Sequence, residues 1–231
     1  MSRRYKALLL DADDTVFDFR EAERRAFLAT TAPLGLNAPE HCAAYHAINK
    51  RYWRALEQGL VTQEQLRVGR FEDLLRQYGV DADATQVAWT YSHNLSMQGV
   101  LIDGALEAVR QIAQVMPVAV VTNGISDVQR GRMARSSIRE FISALVISQE
   151  VGAAKPDPQM LYVALEKLGG LSPKDVIMAG DSPSSDVRAA NAAGIDMCWY
   201  NAAEKTLPEG LHVEYEIREI GSLPQIVLQN A

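Results

Sequence analysis

The stretch Tyr5-Lys6-Ala7-Leu8-Leu9-Leu10-Asp11-Ala12-Asp13-Asp14-Thr15 decides the fold. Its apolar run ends abruptly at acids, which predicts a buried strand delivering carboxylates to its carboxyl edge. Asp11 and Asp13 are two apart, so an extended backbone sets their side chains on the same side. Two such carboxylates can divide labour, one attacking an electrophile or holding a cation while the other exchanges a proton. The pair alone is weak evidence, because acidic turns are common.

Outward from this run, the next strand candidate is Val118-Ala119-Val120-Val121, about a hundred residues on. The rhythm then becomes regular, with short apolar runs at residues 144–148, 176–179 and 195–199 and helical stretches between them. Alternating apolar runs and helices imply an α/β chain with a Rossmann-like parallel sheet covered on both faces by helices. Right-handed crossovers keep the carboxyl ends of such strands together, and loops there carry the chemistry.

Residues 20–97 have a different character, with helical patterns near 38–58, 62–77 and 83–96 and no strong strand candidate. Thr62 followed by Gln65 reads as a reciprocal helix cap. The economical division is an α/β core of residues 1–19 and 98–231 with an inserted helical cap at 20–97. Residues 16–20 and 97–104 are then hinge candidates. Lys50, Arg51, Arg54, Arg67 and Arg70 punctuate the cap, and Lys50 and Arg70 are candidate contacts to an anionic substrate. Glu57, Glu64 and Glu72 lie among them, so an ordinary solvent-facing helix surface is the competing reading. Tyr52, Trp53, Phe71 and Trp89 read as core packing rather than base stacking.

The chain has 231 residues, 48% hydrophobic and 23% charged, with a formal net charge of −6. That composition suits a globular protein and lacks the basic field that a nucleic-acid polymer or an anionic membrane requires. Cys42 and Cys198 make no disulfide framework or zinc cluster. No stretch approaches the roughly 20 apolar residues of a membrane span, and the basic-then-apolar start at residues 1–14 is too short for a signal segment. The expectation is a soluble, cytoplasmic protein, able to form a homo-oligomer, so the sequon Asn94-Leu95-Ser96 is discounted as a glycosylation site. His41, His46, His93 and His212 are scattered, and neither a GxxxxGK nor a GxGxxG loop occurs. Ser126, Ser182, Ser184 and Ser185 lack a nucleophile elbow.

Three further groups sit at expected strand ends. Thr122-Asn123-Gly124 offers a hydroxyl, an amide and a permissive backbone for anionic oxygens. Lys155, in Ala153-Ala154-Lys155-Pro156-Asp157-Pro158, supplies a compact positive charge before a helix starting near Pro158. Gly180-Asp181-Ser182-Pro183-Ser184-Ser185-Asp186 adds two more carboxylates. Concentrated acids need a metal or a cation beside them, and Mg²⁺ is the hard, oxygen-seeking candidate.

Together, Leu8 to Thr15, Val121 to Gly124, Lys155-Pro156, and Gly180-Asp181 with Asp186 resemble the four ordered motifs of the haloacid dehalogenase-like superfamily. Within it, the chain is similar to aspartate-dependent phosphatases with a helical cap after the first motif. The resemblance implies that Asp11 is the nucleophile that becomes an aspartyl-phosphate. Asp13 is then the acid that protonates the leaving oxygen and afterwards activates water, with its carbonyl facing the metal. Thr122 and Lys155 orient the phosphoryl group, Asn123 helps to bind substrate, and Asp181 and Asp186 complete a site for Mg²⁺ with Asp11 and Asp13. The competing structural readings are a polar turn for Asp11 and Asp13, a turn cap for Thr122, a surface ion pair for Lys155, a helix-start residue for Asp186, and backbone geometry alone for Gly124 and Gly180.

An acid at Asp13 argues against the dehalogenase branch of the superfamily. Asn49 to Trp53, Gly59 to Thr62, Gly69 to Glu72, Ile147 to Gly152 and Cys198 to Asn201 resemble pyrimidine-directed nucleoside monophosphate phosphatases. Residues 130–138 follow that pattern less closely. The implied partner is a small phosphorylated substrate, a pyrimidine 5′-nucleotide. A sugar-phosphate phosphatase or phosphomutase, and a non-catalytic phosphate- or nucleotide-binding regulator, are the alternatives.

Overall fold

The computed structural model describes residues 4–229; the ends of the expected core, residues 1–3 and 230–231, and with them Arg3 of the basic start, lie outside the described residues. The chain divides into two compact units, one taking in residues up to Phe19 and from Gly99 onward, the other being Arg20–Gln98. Gln98 falls with the helical unit because its N–H still bonds to Leu95 O at the end of a helix.

The first unit is built on six strands: β1 Ala7–Leu10, β2 Val118–Thr122, β3 Ala144–Ile147, β4 Val176–Gly180, β5 Asp196–Tyr200 and β6 Tyr215–Ile217. They run in the order β3-β2-β1-β4-β5-β6, and every pairing is parallel. Alternate residues of the strands feed two different cores. Leu8, Leu10, Val118, Val120, Ile177 and Ala179 pack on one face, and Leu9, Ala119, Val121, Met178, Met197 and Trp199 on the other. Burial on both faces is why these strands are continuous apolar runs. Strand β6 escaped the sequence reading because it is a three-residue edge strand with Glu216 exposed.

The second unit contains helices α1 Phe19–Thr31, α2 Pro39–Glu57, α3 Gln63–Tyr78 and α4 Ala84–Ser96, α1 beginning one residue before it. Thr62 caps α3 as expected, accepting from Gln65 N while Gln65 Oε1 accepts from Thr62 N. An aromatic centre joins three of the helices and α1: the ring of Tyr45 lies 4.9 Å from Phe27, 5.1 Å from Phe71 and 5.3 Å from Tyr91. Trp89 departs from the core-packing expectation; it is 49% exposed and the Arg67 guanidinium covers its ring at 4.2 Å. The sequon residue Asn94 lies within α4 and donates to Thr30 Oγ1.

Residues 16–18 of the first hinge candidate are hydrogen-bonded within the first unit. Val16 and Phe17 N–H both bond to Ala12 O, Asp18 N–H bonds to Val100 O, and Ile102 N–H bonds to Val16 O. Helix α1 then begins at Phe19, its apolar side set by Ala22, Ala26 and Phe27.

Among the described residues, six further helices follow in the first unit: α5 Ala105–Ala113, α6 Ser126–Arg135, the single turn α7 Ser148–Val151, α8 Gln159–Lys167, α9 Arg188–Ala193 and α10 Leu223–Val227. Both cysteines are free, Cys198 buried in β5; burial pushes its thiol up to about 12. Among the described residues no helix is long and apolar enough to cross a membrane.

Candidate active site

Three neighbouring strands, in the order β2-β1-β4, end at the same edge of the sheet. Asp11 follows β1, its N–H bonded to Ala179 O of β4 at 2.9 Å, and its carboxylate is almost wholly buried. Lys155, 2% exposed, reaches this edge from the segment before α8. Its Nζ donates to Asp11 Oδ1 at 2.5 Å and to Val121 O of β2 at 2.7 Å, and pairs with Asp186 Oδ1 at 2.7 Å. An ammonium has three protons and no acceptor, so these three contacts use its full capacity and bind three strand ends to one charge. The surface ion-pair reading of Lys155 is thereby excluded. Thr15 Oγ1 donates to the other oxygen of Asp11 at 3.2 Å.

Asn123 holds Lys155 from behind. Its Nδ2 donates to Lys155 O and its Oδ1 accepts from Lys155 N, both at 2.8 Å, so the side-chain amide pairs with the lysine backbone as a strand would. Sequence reading gave Asn123 a part in substrate binding; the structure commits its amide to Lys155. Thr122 Oγ1 accepts from Gly124 N at 3.2 Å, which realises the turn-capping reading.

Asp186 is fully buried in a π-helical turn, Pro183–Val187, an arrangement that recurs at functional sites. Its Oδ2 accepts from Ser182 N at 3.0 Å. Gly180 is needed beneath it, since a Cβ there would stand 2.5 Å from Asp186 Oδ2. The main-chain carbonyl of Asp181 accepts from the Trp199 indole at 3.0 Å.

Asp11, Asp181 and Asp186 each bring one carboxylate oxygen within 4.8 Å of the others. With all three ionised, Lys155 leaves an excess of two negative charges. Burial, then the neighbouring carboxylate of Asp186, raises the Asp11 carboxyl to about 7 against the opposing pull of Lys155. Burial and the carboxylates of Asp11 and Asp186 raise Asp181 to about 8. Burial acts to lower Lys155, and Asp11 and Asp186 outweigh it, so the ammonium is held well above its ordinary range. Hard oxygen donors in divalent charge deficit fit Mg²⁺, which would relieve the cost of ionising them.

The carboxylate of Asp13 is not in that group. Its Oδ2 accepts from Gln129 Nε2 at 2.6 Å, and its Oδ1 pairs with Arg132, both on α6. The resemblance had Asp13 face the metal through its main-chain carbonyl, and the side chain is left to this separate set of donors. Nothing in the sequence pointed to Gln129, and Arg132 stood out only as part of residues 130–138, where the resemblance to pyrimidine-directed phosphatases weakens. The cap cations separate as well. Lys50 is exposed on α2, whereas Arg70 is 3% exposed, donates to Asn49 Oδ1 at 2.8 Å and lies 4.9 Å from the Tyr91 ring. Arg70 is therefore interior to the helical unit, not a solvent-facing cation.

Residues 5–194 match the haloacid dehalogenase-like hydrolase family, to which the chain belongs. It is 32% identical over 229 residues to the haloacid-dehalogenase-type hydrolase YfnB of Bacillus subtilis, covering 97% of this chain and 96% of that one. The crystal structure of YfnB bound to magnesium superposes with a TM-score of 0.90 at 31% identity, over 97% of this chain and 99% of that chain. The pyrimidine 5′-nucleotidase YjjG of Escherichia coli is 30% identical over 225 residues, 96% of this chain and 98% of its own. The pyrimidine 5′-nucleotidase PynA of Streptococcus pneumoniae is 31% identical over 199 residues, 85% and 84% of the two chains.

Proposed function

We propose that the protein is a Mg²⁺-dependent phosphomonoester hydrolase acting on pyrimidine nucleoside 5′-monophosphates through an aspartyl-phosphate. The observation that carries the chemistry is the seat of Asp11: a buried carboxylate against the Lys155 ammonium, with a three-carboxylate cluster beside it and a second acid two residues on. In the first step an Asp11 oxygen forms a bond to phosphorus, the ester P–O bond breaks, and the Asp13 proton passes to the leaving oxygen to give the alcohol. In the second, water attacks phosphorus while Asp13 takes its proton. The bond to Asp11 breaks and inorganic phosphate leaves.

Lys155 neutralises charge at the attacked phosphoryl group and fixes Asp11, while Thr122 orients its oxygens. Asp11, Asp181 and Asp186 would hold the cation, which would supply charge stabilisation for phosphoryl transfer. The nucleotide preference is supported by likeness to YjjG and PynA, whose names state pyrimidine 5′-nucleotidase activity, and by the sequence segments that resemble such enzymes. Lys50 is the helical-unit cation assigned to substrate, and Arg70 to holding that unit's interior. The test is the initial rate of phosphate release from pyrimidine and purine monophosphates and phosphosugars, with and without Mg²⁺, beside Asp11→Asn. Selective, Mg²⁺-dependent release lost in the variant is expected. Equal turnover of phosphosugars and all nucleotides would remove the substrate assignment, and isomerisation of a phosphosugar without phosphate release would replace the hydrolase.

A further inference from the structure

Asp13 and Asp11 leave the same loop with entirely different partners, and Asp13's come from α6, more than a hundred residues along the chain. Arg132 is fully buried although it carries a permanent charge. Its guanidinium lies 4.6 Å from the Phe17 ring and 5.6 Å from Phe19, so the loop that presents Asp13 also covers the arginine. Phe17 is itself pinned, forming bridges with Asp13 and Leu101. Gln129, 3% exposed, completes the arrangement by bonding to the other carboxylate oxygen. Gly124 is what admits Gln129: a Cβ there would collide with the glutamine side chain.

Burying a guanidinium is costly unless its charge is met, and one donor on each carboxylate oxygen, Arg132 Nη1 on Oδ1 and Gln129 Nε2 on Oδ2, fixes the orientation of Asp13. A carboxylate offers about four acceptor sites, so donors from α6 can hold it without excluding proton exchange on its other side. We propose that Arg132 and Gln129 are positioning residues for Asp13, setting the orientation in which it exchanges the proton of the leaving oxygen. The inference rests on the phosphomonoesterase reading above. It predicts a defect confined to the proton-transfer part of the reaction.

The test exploits the leaving group. A nucleoside monophosphate expels a basic alkoxide and needs the proton, whereas p-nitrophenyl phosphate expels a stabilised phenolate and needs it little. General acid catalysis is worth roughly 10²- to 10⁴-fold, so Arg132→Lys is expected to lower kcat/KM for the preferred alkyl phosphate by about 10- to 100-fold and for p-nitrophenyl phosphate by less than about threefold. Gln129→Ala should show the same signature more weakly. In an Asp13→Asn background, adding Arg132→Lys should produce no further discrimination between the esters, because residues acting as a unit are non-additive. Equal losses on both esters, or an unchanged ratio in both variants, would overturn the inference. Should Arg132→Lys not fold, judged by its thermal unfolding, Gln129→Ala carries the same ratio test. Wild-type protein that hydrolyses neither ester would instead remove the phosphomonoesterase reading itself.

Discussion

The Lys155 ammonium stands 2.5 Å from Asp11 Oδ1 and, with its next proton, 2.7 Å from Asp186 Oδ1, so one side chain unites the carboxylates that follow two adjacent strands. Removing it leaves the buried carboxylates of Asp11 and Asp186 without the cation they share. Breaking a buried pair from one side costs about 3–5 kcal/mol. Lys155→Met is therefore expected to lower the urea midpoint of the metal-free protein strongly and to abolish phosphate release. A midpoint within experimental error of wild type would show that the ammonium is not what sustains the cluster.

The raised carboxyls give stability a definite pH dependence. Asp11 and Asp181 take up protons in the folded state up to about 7 and 8, while in the unfolded chain they release them at the ordinary value of 3.8. Between these limits the folded state binds more protons, so unfolding free energy falls as pH rises. Without metal, the thermal midpoint should decline from pH 5 to pH 8 more steeply in wild type than in Asp181→Asn. Identical slopes would contradict the assignment.

Mg²⁺ binding at neutral pH must displace those protons. Calorimetric titrations in two buffers of different ionisation enthalpy should reveal net proton release at pH 7 that shrinks toward pH 9. Uptake of protons, or no buffer dependence at pH 7, would contradict the picture of a cluster partly protonated before the ion arrives.

Gly180→Ala should weaken Mg²⁺ binding without replacing any ligand residue. The new methyl would occupy the space of Asp186 Oδ2, and losses of supporting geometry at metal sites typically run to about 10- to 100-fold in affinity. Affinity unchanged from wild type would mean that Asp186 can retreat without cost to the site.

In the helical unit, truncation should cost far more at Phe71 than at Trp89. Phe71 is fully buried, 5.1 Å from Tyr45 and 5.2 Å from Tyr91, so Phe71→Ala is expected to cost about 3–5 kcal/mol. Trp89→Ala loses an exposed ring and a cation–π contact, worth about 0.5–1 kcal/mol. Urea unfolding distinguishes them, and comparable costs would refute the burial contrast.

The sheet was legible because parallel strands buried on both faces leave unbroken apolar runs: β1, β2 and β4 stand within a residue or two of where the sequence suggests them. Helix α1 was not, because its buried positions include Glu23, which looks like surface until Asn49 and His46 are found bonded to it. Asp11, Lys155, Asp181 and Asp186 could be read from motif order, since each closes or follows a strand. Gln129 and Arg132 could not: α6 presents no clear apolar stripe, and Arg132 is buried by a partner 119 residues away in sequence. The burial of Arg70 was equally hidden, as a buried cation is indistinguishable in sequence from one facing water.

Trp199 gives this chain an optical readout of its own chemistry. The indole is 1% exposed, and its N–H rests on the main-chain carbonyl of Asp181, one residue's own atoms away from a ligand oxygen. Of the three tryptophans, Trp53 and Trp89 belong to the helical unit. Replacing those two with phenylalanine leaves a single intrinsic fluorophore hydrogen-bonded to the edge of the carboxylate cluster, so occupancy of the cluster can be followed by emission, in real time and without a label.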